Sequence, residues 1–418
     1  MKSIWTGIGI LVVLLPVPCR GRSEPTSIGL FLPTRGPLAA SGRRVERAAR
    51  LALERAVRSW PAGPRFRLRV ASSDLPWGAQ TRDLVKLIYE DRVEVVIGAL
   101  DGRSAHLAEQ VITRARGEAL LFTLSSDPTL TQIRLPWVFR LVPDDRRQAQ
   151  ALMGQVGRSN ASAKAVTLIL GDDYDTRSLV SVLRRVAGSA SLSMAWRKAW
   201  AGRRASRIPN AESLLLIGPP EASARVLEAL DFSRPVRWFG PLRLNCPEFW
   251  AALAGGGGDP VALIATYDSD FSAWRDFRQR YSARYAEAPA LLEAYAFDAV
   301  SLAAAVISRT GSDVEAIQQA LRRSRFPGVT GLVRFDEKGD RIGHLSWMTW
   351  TRNDQVSPPN SRETLGQPAV QEGEGGTAPT SSLQWVAERH RQEAGSERNA
   401  GLPVIFSIHR GRPGMDRP

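Results

Sequence analysis

The chain has 418 residues, 43% of them hydrophobic and 23% charged, with a formal net charge of +14. That length and composition exclude a disulfide-built miniprotein and a wholly disordered chain, and leave room for two or three domains. The positive excess would suit nucleic acid or an anionic surface, but it is scattered arginine: lysine occurs only at Lys2, Lys86, Lys164, Lys198 and Lys338, and no long basic block exists, so we read the excess as compositional.

The N-terminus begins with a short positive start, Met1-Lys2, followed by the apolar run Ile4–Leu15, of signal-peptide length and too short for a comfortable bilayer span. Pro16, Pro18 and Gly21 end it. Residues 1–21 therefore read as a secretory signal cleaved after Cys19 or Gly21, and the body as periplasmic or otherwise extracytoplasmic. Cys19 also stands where a lipoprotein carries its anchor, although Pro18 fills a place that such signals give to a small residue. No other stretch reads as apolar enough for a transmembrane helix. If Cys19 leaves with the signal, Cys246 is a lone thiol, expected to be a small buried residue at a helix start rather than a nucleophile. The histidines His106, His344, His390 and His409 are far apart, without metal-ligand spacing, and no cofactor is expected.

A first series of elements follows. Thr26–Leu32 reads as a strand, Ser41–Ser59 as a helix with the stripe Val45, Ala49, Leu53 and Val57, Arg65–Ala71 as a strand exposed on one side, and Gln80–Asp91 as a helix. Val93–Ile97, a β-branched run closed by Gly98, is expected to be a strand buried on both faces. Ser104–Arg116 carries Leu107, Val111, Ile112 and Ala115 at helical spacing, Leu120–Thr123 is a short strand, and Val138–Val142 a further one. The loops Asp101–Ser104 and Ser125–Asp127 follow two of these strands. In an open parallel sheet such loops lie together at the carboxyl ends, and their backbone N–H groups, hydroxyls and helix N-terminus suit a small anionic or zwitterionic group.

After a helix at Gln148–Val156, a second series begins. Val166–Leu170, Leu192–Trp196, Ser213–Ile217, Val236–Phe239 and Val261–Thr266 read as strands, alternating with helices at Thr176–Val186, Pro220–Leu230 and Pro247–Leu253. Helices at Phe271–Tyr285, Leu291–Arg309 and Asp313–Ser324 follow, and Gly331–Phe335 with Leu345–Trp350 reads as a closing hairpin around Glu337-Lys338-Gly339-Asp340. Two such series predict an α/β protein of two Rossmann-like lobes with parallel sheets. Residues 352–418 begin with a Pro-, Gly-, Ser- and Glu-rich stretch and read as a low-complexity, disordered tail.

In this order the residues resemble the type I periplasmic binding proteins, in particular the leucine/isoleucine/valine-binding proteins of ABC transporters. The resemblance is carried by IGLFLPTRGPLAASG at Ile28–Gly42, VVIGAL at Val95–Leu100, SSDPTLT at Ser125–Thr131, VFRLVPDDRRQ at Val138–Gln148, GDDYDTRSL at Gly171–Leu179, YAFDAV at Tyr295–Val300, RTGSD at Arg309–Asp313 and FDEKGDRIG at Phe335–Gly343. It covers about Ile28 to Trp350 and leaves the tail uncovered. It implies two lobes joined by a multi-strand hinge, residues 26–143 with 270–325 and residues 144–269 with 326–351, that close on a small polar ligand, an amino acid or related carboxylate, and deliver it to an ABC permease. By this resemblance the ligand site comprises Asp101, Gly102, Arg103, Ser104, Ser125, Ser126 and Tyr174.

Three departures bear on the ligand. The family often has serine where Gly102 stands, an aromatic after the strand ending at Ile217, and an acid after the strand ending at Phe239, where this chain has Gly240-Pro241-Leu242-Arg243. A missing acid would leave an ammonium unpaired in a closed cleft. An acidic ligand paired with Arg35, Arg103 or Arg243 is therefore expected, and Arg243 joins the site. Each residue also has a plainer role: Ser125-Ser126-Asp127 as a helix cap, Asp101-Gly102 as a turn, Tyr174 as hinge packing. A sensory or accessory subunit with a changed pocket is the alternative to a transport receptor. An enzyme is not expected, since there is no G-x-S-x-G elbow, no metal cluster and no nucleophile–base pair, and Asp144-Asp145 and Asp172-Asp173 read as solvated turns. Repressors of this two-lobed shape carry an N-terminal helix-turn-helix; here a signal takes that place, so no nucleic acid is expected. Membrane contact is expected only through a permease or an anchor at Cys19.

Overall fold

The computed structural model describes residues 25–350, apart from 61–62, 159–164, 190–193, 199–212, 230–236, 256–260 and 268–271. The signal at 1–21, Cys19 and the tail at 352–418 lie outside the described residues.

The first series forms β1 (Thr26–Leu32), α1 (Ala39–Ser59), β2 (Phe66–Ser72), α2 (Trp77–Tyr89), β3 (Val93–Gly98), α3 (Gly102–Arg114), β4 (Leu120–Thr123) and β5 (Val138–Arg140). Its strands are all parallel, in the order β2-β1-β3-β4-β5. Every residue of β3 is buried, because helices cover both faces, which is why its sequence is a β-branched run rather than an alternation. Gly98 closes β3 at a positive φ of 131°, where a β-carbon would strike the carbonyl of Phe31.

The second series forms α4 (Asp145–Arg158), β6 (Ala165–Ile169), α5 (Tyr174–Ser189), β7 (Met194–Lys198), β8 (Ser213–Ile217), α6 (Pro220–Ala229), β9 (Arg237–Gly240), α7 (Pro247–Gly255) and β10 (Val261–Ile264). Then come α8 (Ser272–Tyr285), α9 (Leu291–Thr310), α10 (Val314–Arg323), β11 (Phe326–Gly328), β12 (Gly331–Val333) and β13 (Trp347–Trp350). The second sheet runs β13-β10-β9-β8-β6-β7 and is parallel except for β13, which lies antiparallel to β10. Each sheet thus has its first strand inside the order, flanked by β2 and β3 in one lobe and by β7 and β8 in the other. Both have a topological switch point, and crevices open at the carboxyl ends of the strands there.

α9 is long and apolar enough to cross a membrane by length and composition, contrary to the expectation that no such stretch follows the signal. It is 89% buried within the protein, packed on α1 in the first lobe. A helix apolar all round is a core helix when protein covers every face.

The closing hairpin does not form as expected. The turn exists, with Asp336 N–H donating to the Asp340 carbonyl at 2.9 Å. Its flanking strands pair elsewhere, however: β12 with β11, a strand not expected from the sequence, and β13 with β10. Residues 326–341, expected in the second lobe, make contacts with elements of the first. β11 packs on α9, the Phe335 ring stands 5.0 Å from Phe139, and Arg140 reaches Asp340 at 3.0 Å. The lobes are joined where β5 runs into α4, beyond β10, and before β13. Ser346 ties the last two crossings, its N–H and its Oγ each donating to the Thr266 carbonyl at 2.8 Å.

Candidate functional site

The loops at the carboxyl ends of β1, β3 and β4 face those of β6, β8 and β9 across a cavity of about 140 Å³. Apolar walls come from both lobes, including Leu100, Leu124, Val142, Leu179 and Leu242. Five carboxylates line it, on Asp145, Asp175, Glu221, Glu248 and Glu293, against two guanidiniums, on Arg44 and Arg243.

Each guanidinium is already paired. Arg44, on α1, donates through Nη1 to Glu248 at 2.6 Å and through Nε to the fully buried Glu293 at 3.2 Å. Burial alone would lower its pKa, but Glu293 and Glu248 outweigh that and hold it firmly charged. Arg243 donates through Nη1 to Asp173 at 3.1 Å and to Thr176 Oγ1 at 3.3 Å. The acids are less well served. Burial pushes the Asp145 carboxyl up to about 7, against hydrogen bonds from Ser126 and Ser178. Burial lifts Asp175 to about 6, against the pull of Arg243 and the Gly102 N–H.

Of the eight residues expected at the site, Ser126 and Arg243 line the cavity. Asp101 caps α3, accepting from Ser104 N–H at 3.0 Å and from Ser104 Oγ at 2.7 Å, so both side chains are used locally. Ser125 is buried and accepts the Asp127 N–H at 3.2 Å. Arg103 is exposed on α3 and lines no part of the cavity. Gly102 is packed flat on Tyr174, whose ring fills the space of any β-carbon. Tyr174 forms a latch between lobes: its hydroxyl donates to Asp127 Oδ2 at 2.6 Å, beside His106, whose Nε2 lies 3.1 Å from the same oxygen. Hydrogen bonding to Asp127 and Glu109 raises His106 to about 9.

Asp175, Glu293, Arg44 and Asp145 escaped the sequence. Glu293 left a signal, as an acid in the first turn of a largely apolar helix. Asp144 and Asp145, expected in a solvated turn, are buried where β5 crosses between lobes. The expected arginine clamp for an acidic ligand is not assembled: Arg35 and Arg103 lie off the cavity, and Arg243 is engaged by Asp173. Cys246 is buried before α7 and its thiol is pushed well up by burial, as a small core residue would be. No cluster able to hold a metal occurs among the described residues.

The N-terminus of α3, where an anionic ligand group was expected, is occupied by the protein itself. Gly102 N–H donates at 2.9 Å to Asp175 Oδ1, which arrives from the first turn of α5 in the opposite lobe. The helix end thereby receives its anion from within the chain.

No protein-family model and no curated protein sequence matches the chain. Solved structures do. The branched-chain amino acid transporter substrate-binding protein LivJ from Streptococcus pneumoniae, in complex with isoleucine, matches with TM-score 0.67 at 18% identity, over 79% of this chain and 97% of that one. The leucine-binding protein LivK from Thermotoga maritima matches with TM-score 0.63 at 19% identity, over 79% and 99%. A solute-binding protein of an ABC transporter from Rhodopseudomonas palustris BisB5, in complex with 3,4-dihydroxybenzoic acid, matches with TM-score 0.64 at 13% identity, over 78% and 92%. The chain therefore has the type I periplasmic binding fold of these substrate-binding proteins, two Rossmann-like lobes on parallel sheets hinged about a shared cavity.

Proposed function

We propose that the chain is an extracytoplasmic solute-binding protein, not an enzyme, that captures a small polar molecule of amino-acid size between its lobes and delivers it to the permease of an ABC-type importer. The observation that carries this is the cavity of about 140 Å³, walled by both lobes at both switch points. An apolar cavity of about 150 Å³ holds a benzene ring, so this one suits a short branched chain or a single ring. A ligand touching both lobes gains its full contact energy only when they close, and so shifts the population toward the closed state. The isoleucine and dihydroxybenzoate named for two of the similar structures are of that size. A second role, a sensory or accessory subunit with a changed pocket, is favoured by one observation, the seating of Asp175 on the N-terminus of α3.

The test is a thermal-shift panel of amino acids, amines, amides, dicarboxylates and aromatic acids on the purified protein. A ligand at a hundredfold excess over Kd adds about 2.7 kcal/mol of stability; a panel without a single stabilising compound would overturn the proposal. Recovery of a transporter permease with the tagged protein from solubilised membranes distinguishes delivery from sensing.

A further inference from the structure

We propose that the cavity selects an organic cation lacking a carboxylate, an amine with an apolar body. The proposal rests on the solute-binding reading of the same cavity and names the ligand class that reading leaves open.

The geometry carries it in three steps. First, the place for a ligand carboxylate is taken. The α3 N-terminus offers Gly102 N–H, and Asp175 Oδ1 already accepts it at 2.9 Å. A ligand carboxylate there would have to displace a carboxylate tied to the protein, and would then sit beside it.

Second, most of the polar side-chain donors lining the cavity already have partners within the protein. Arg44 and Arg243 are paired with Glu248, Glu293 and Asp173. Gln148 donates through Nε2 to the Pro143 carbonyl at 3.0 Å, and Asn245 through Nδ2 to the Ile264 carbonyl at 3.2 Å. An anion brought into this space would be desolvated, would face five carboxylates, and would have to compete with Asp173 for Arg243 and with Glu248 and Glu293 for Arg44.

Third, an acceptor is left over. Glu293 lines the cavity with its side chain fully buried, and its Oε2 has no hydrogen-bond partner among the described residues. A buried carboxylate oxygen without a donor is costly. An ammonium, with three N–H donors, is the group that would satisfy it, and the lining carries three more carboxylates than guanidiniums. Burial holds Asp145, Asp175 and Glu293 above the usual carboxylate range, Asp175 despite Arg243 and Glu293 despite Arg44, so a further cation in the cavity would favour their charged forms.

Three probes sharing one hydrocarbon skeleton separate the classes by titration calorimetry at pH 8: 3-methylbutylamine (ammonium only), leucine (both groups) and 4-methylpentanoate (carboxylate only). We expect the amine to bind at least about tenfold more tightly than leucine, roughly 1.4 kcal/mol, and the acid to give no heat. Glu293→Gln should weaken the amine. Asp175→Gly, by freeing the α3 N-terminus, should raise leucine relative to the amine; a merely structural Asp175 would leave that ratio unmoved and count against the proposal. Leucine or 4-methylpentanoate binding as tightly as the amine would overturn the ligand class and leave solute binding standing. Silence of all three also overturns the class; solute binding falls with it only if the thermal-shift panel is empty too.

Discussion

Gly102 shows how one missing side chain sets a contact between lobes. Its backbone is not in the left-handed region, so a substitution is opposed by contact alone: a β-carbon would run into Tyr174 Cε1 and lie 2.9 Å from Asp127 Oδ2. Gly102→Ser should therefore push Tyr174 off its bond to Asp127 and destabilise the protein by about 1–3 kcal/mol in urea unfolding, the usual cost of overpacking. Gly102→Ser combined with Tyr174→Ala should cost less than the two single changes added, because the smaller side chain makes room; strict additivity would mean that the two residues do not meet. The sequence flagged Gly102 as the loss of a hydroxyl. It gave no means of seeing that the vacated space belongs to a ring numbered 72 positions later, since that contact exists only once two lobes face each other.

At the scale of elements, Arg44 ties α1 to α7 and α9 through Glu248 and Glu293. Its side chain is 10% exposed and that of Glu293 is 0% exposed. Removing one member of such a buried set leaves a charge without a partner, so Arg44→Ala should cost about 3–5 kcal/mol in denaturant unfolding. The control is Glu46→Ala, which removes the exposed i,i+4 pair with Arg50 on the same helix and should cost no more than about 0.5 kcal/mol. Comparable losses for both would show that burial does not separate them. Periodicity found these helices because a buried stripe repeats locally. It failed for the closing hairpin, where Gly331–Phe335 and Leu345–Trp350 looked like mutual partners. Pairing is decided by which sheet edge is open, and β13 finds its edge on β10, far back in the chain.

Across the whole molecule, the latch and the buried acids make stability depend on pH in one direction between pH 5 and pH 9. His106, raised from 6.5 to about 9, contributes stability that is complete below pH 6.5 and is lost as pH rises through about 9. Asp145 and Asp175, lifted from 3.8 to about 7 and about 6, hold protons that the unfolded chain has already released, so their share also falls as pH rises through those values. Asp127 acts at the acid end. Burial would raise it, but hydrogen bonds from His106, Thr129 and Tyr174 hold it well below the carboxylate range, so its contribution is lost only in strong acid. The melting temperature should therefore fall steadily from pH 5 to pH 9 in scanning calorimetry, and His106→Gln should flatten the upper part of the curve. A rise over that interval would contradict these assignments. Tyr174→Phe keeps the ring and removes the bond to Asp127, so small-angle scattering of the unliganded variant should give a larger radius of gyration than the parent.

By itself the sequence determined the alternation of strands and helices, the two series, and the loops at which they meet. Burial on both faces of a parallel sheet forces β-branched runs, and one buried helix face forces a stripe, so local spacing records both. Only the tertiary structure decided which loop residues face the cavity, because a side chain's direction at a strand end depends on caps and on the opposite lobe. Asp101, Ser104 and Ser125 turned to local hydrogen bonds. Asp175 and Glu293 entered the site from helices whose chain positions carry no trace of the neighbours they meet there.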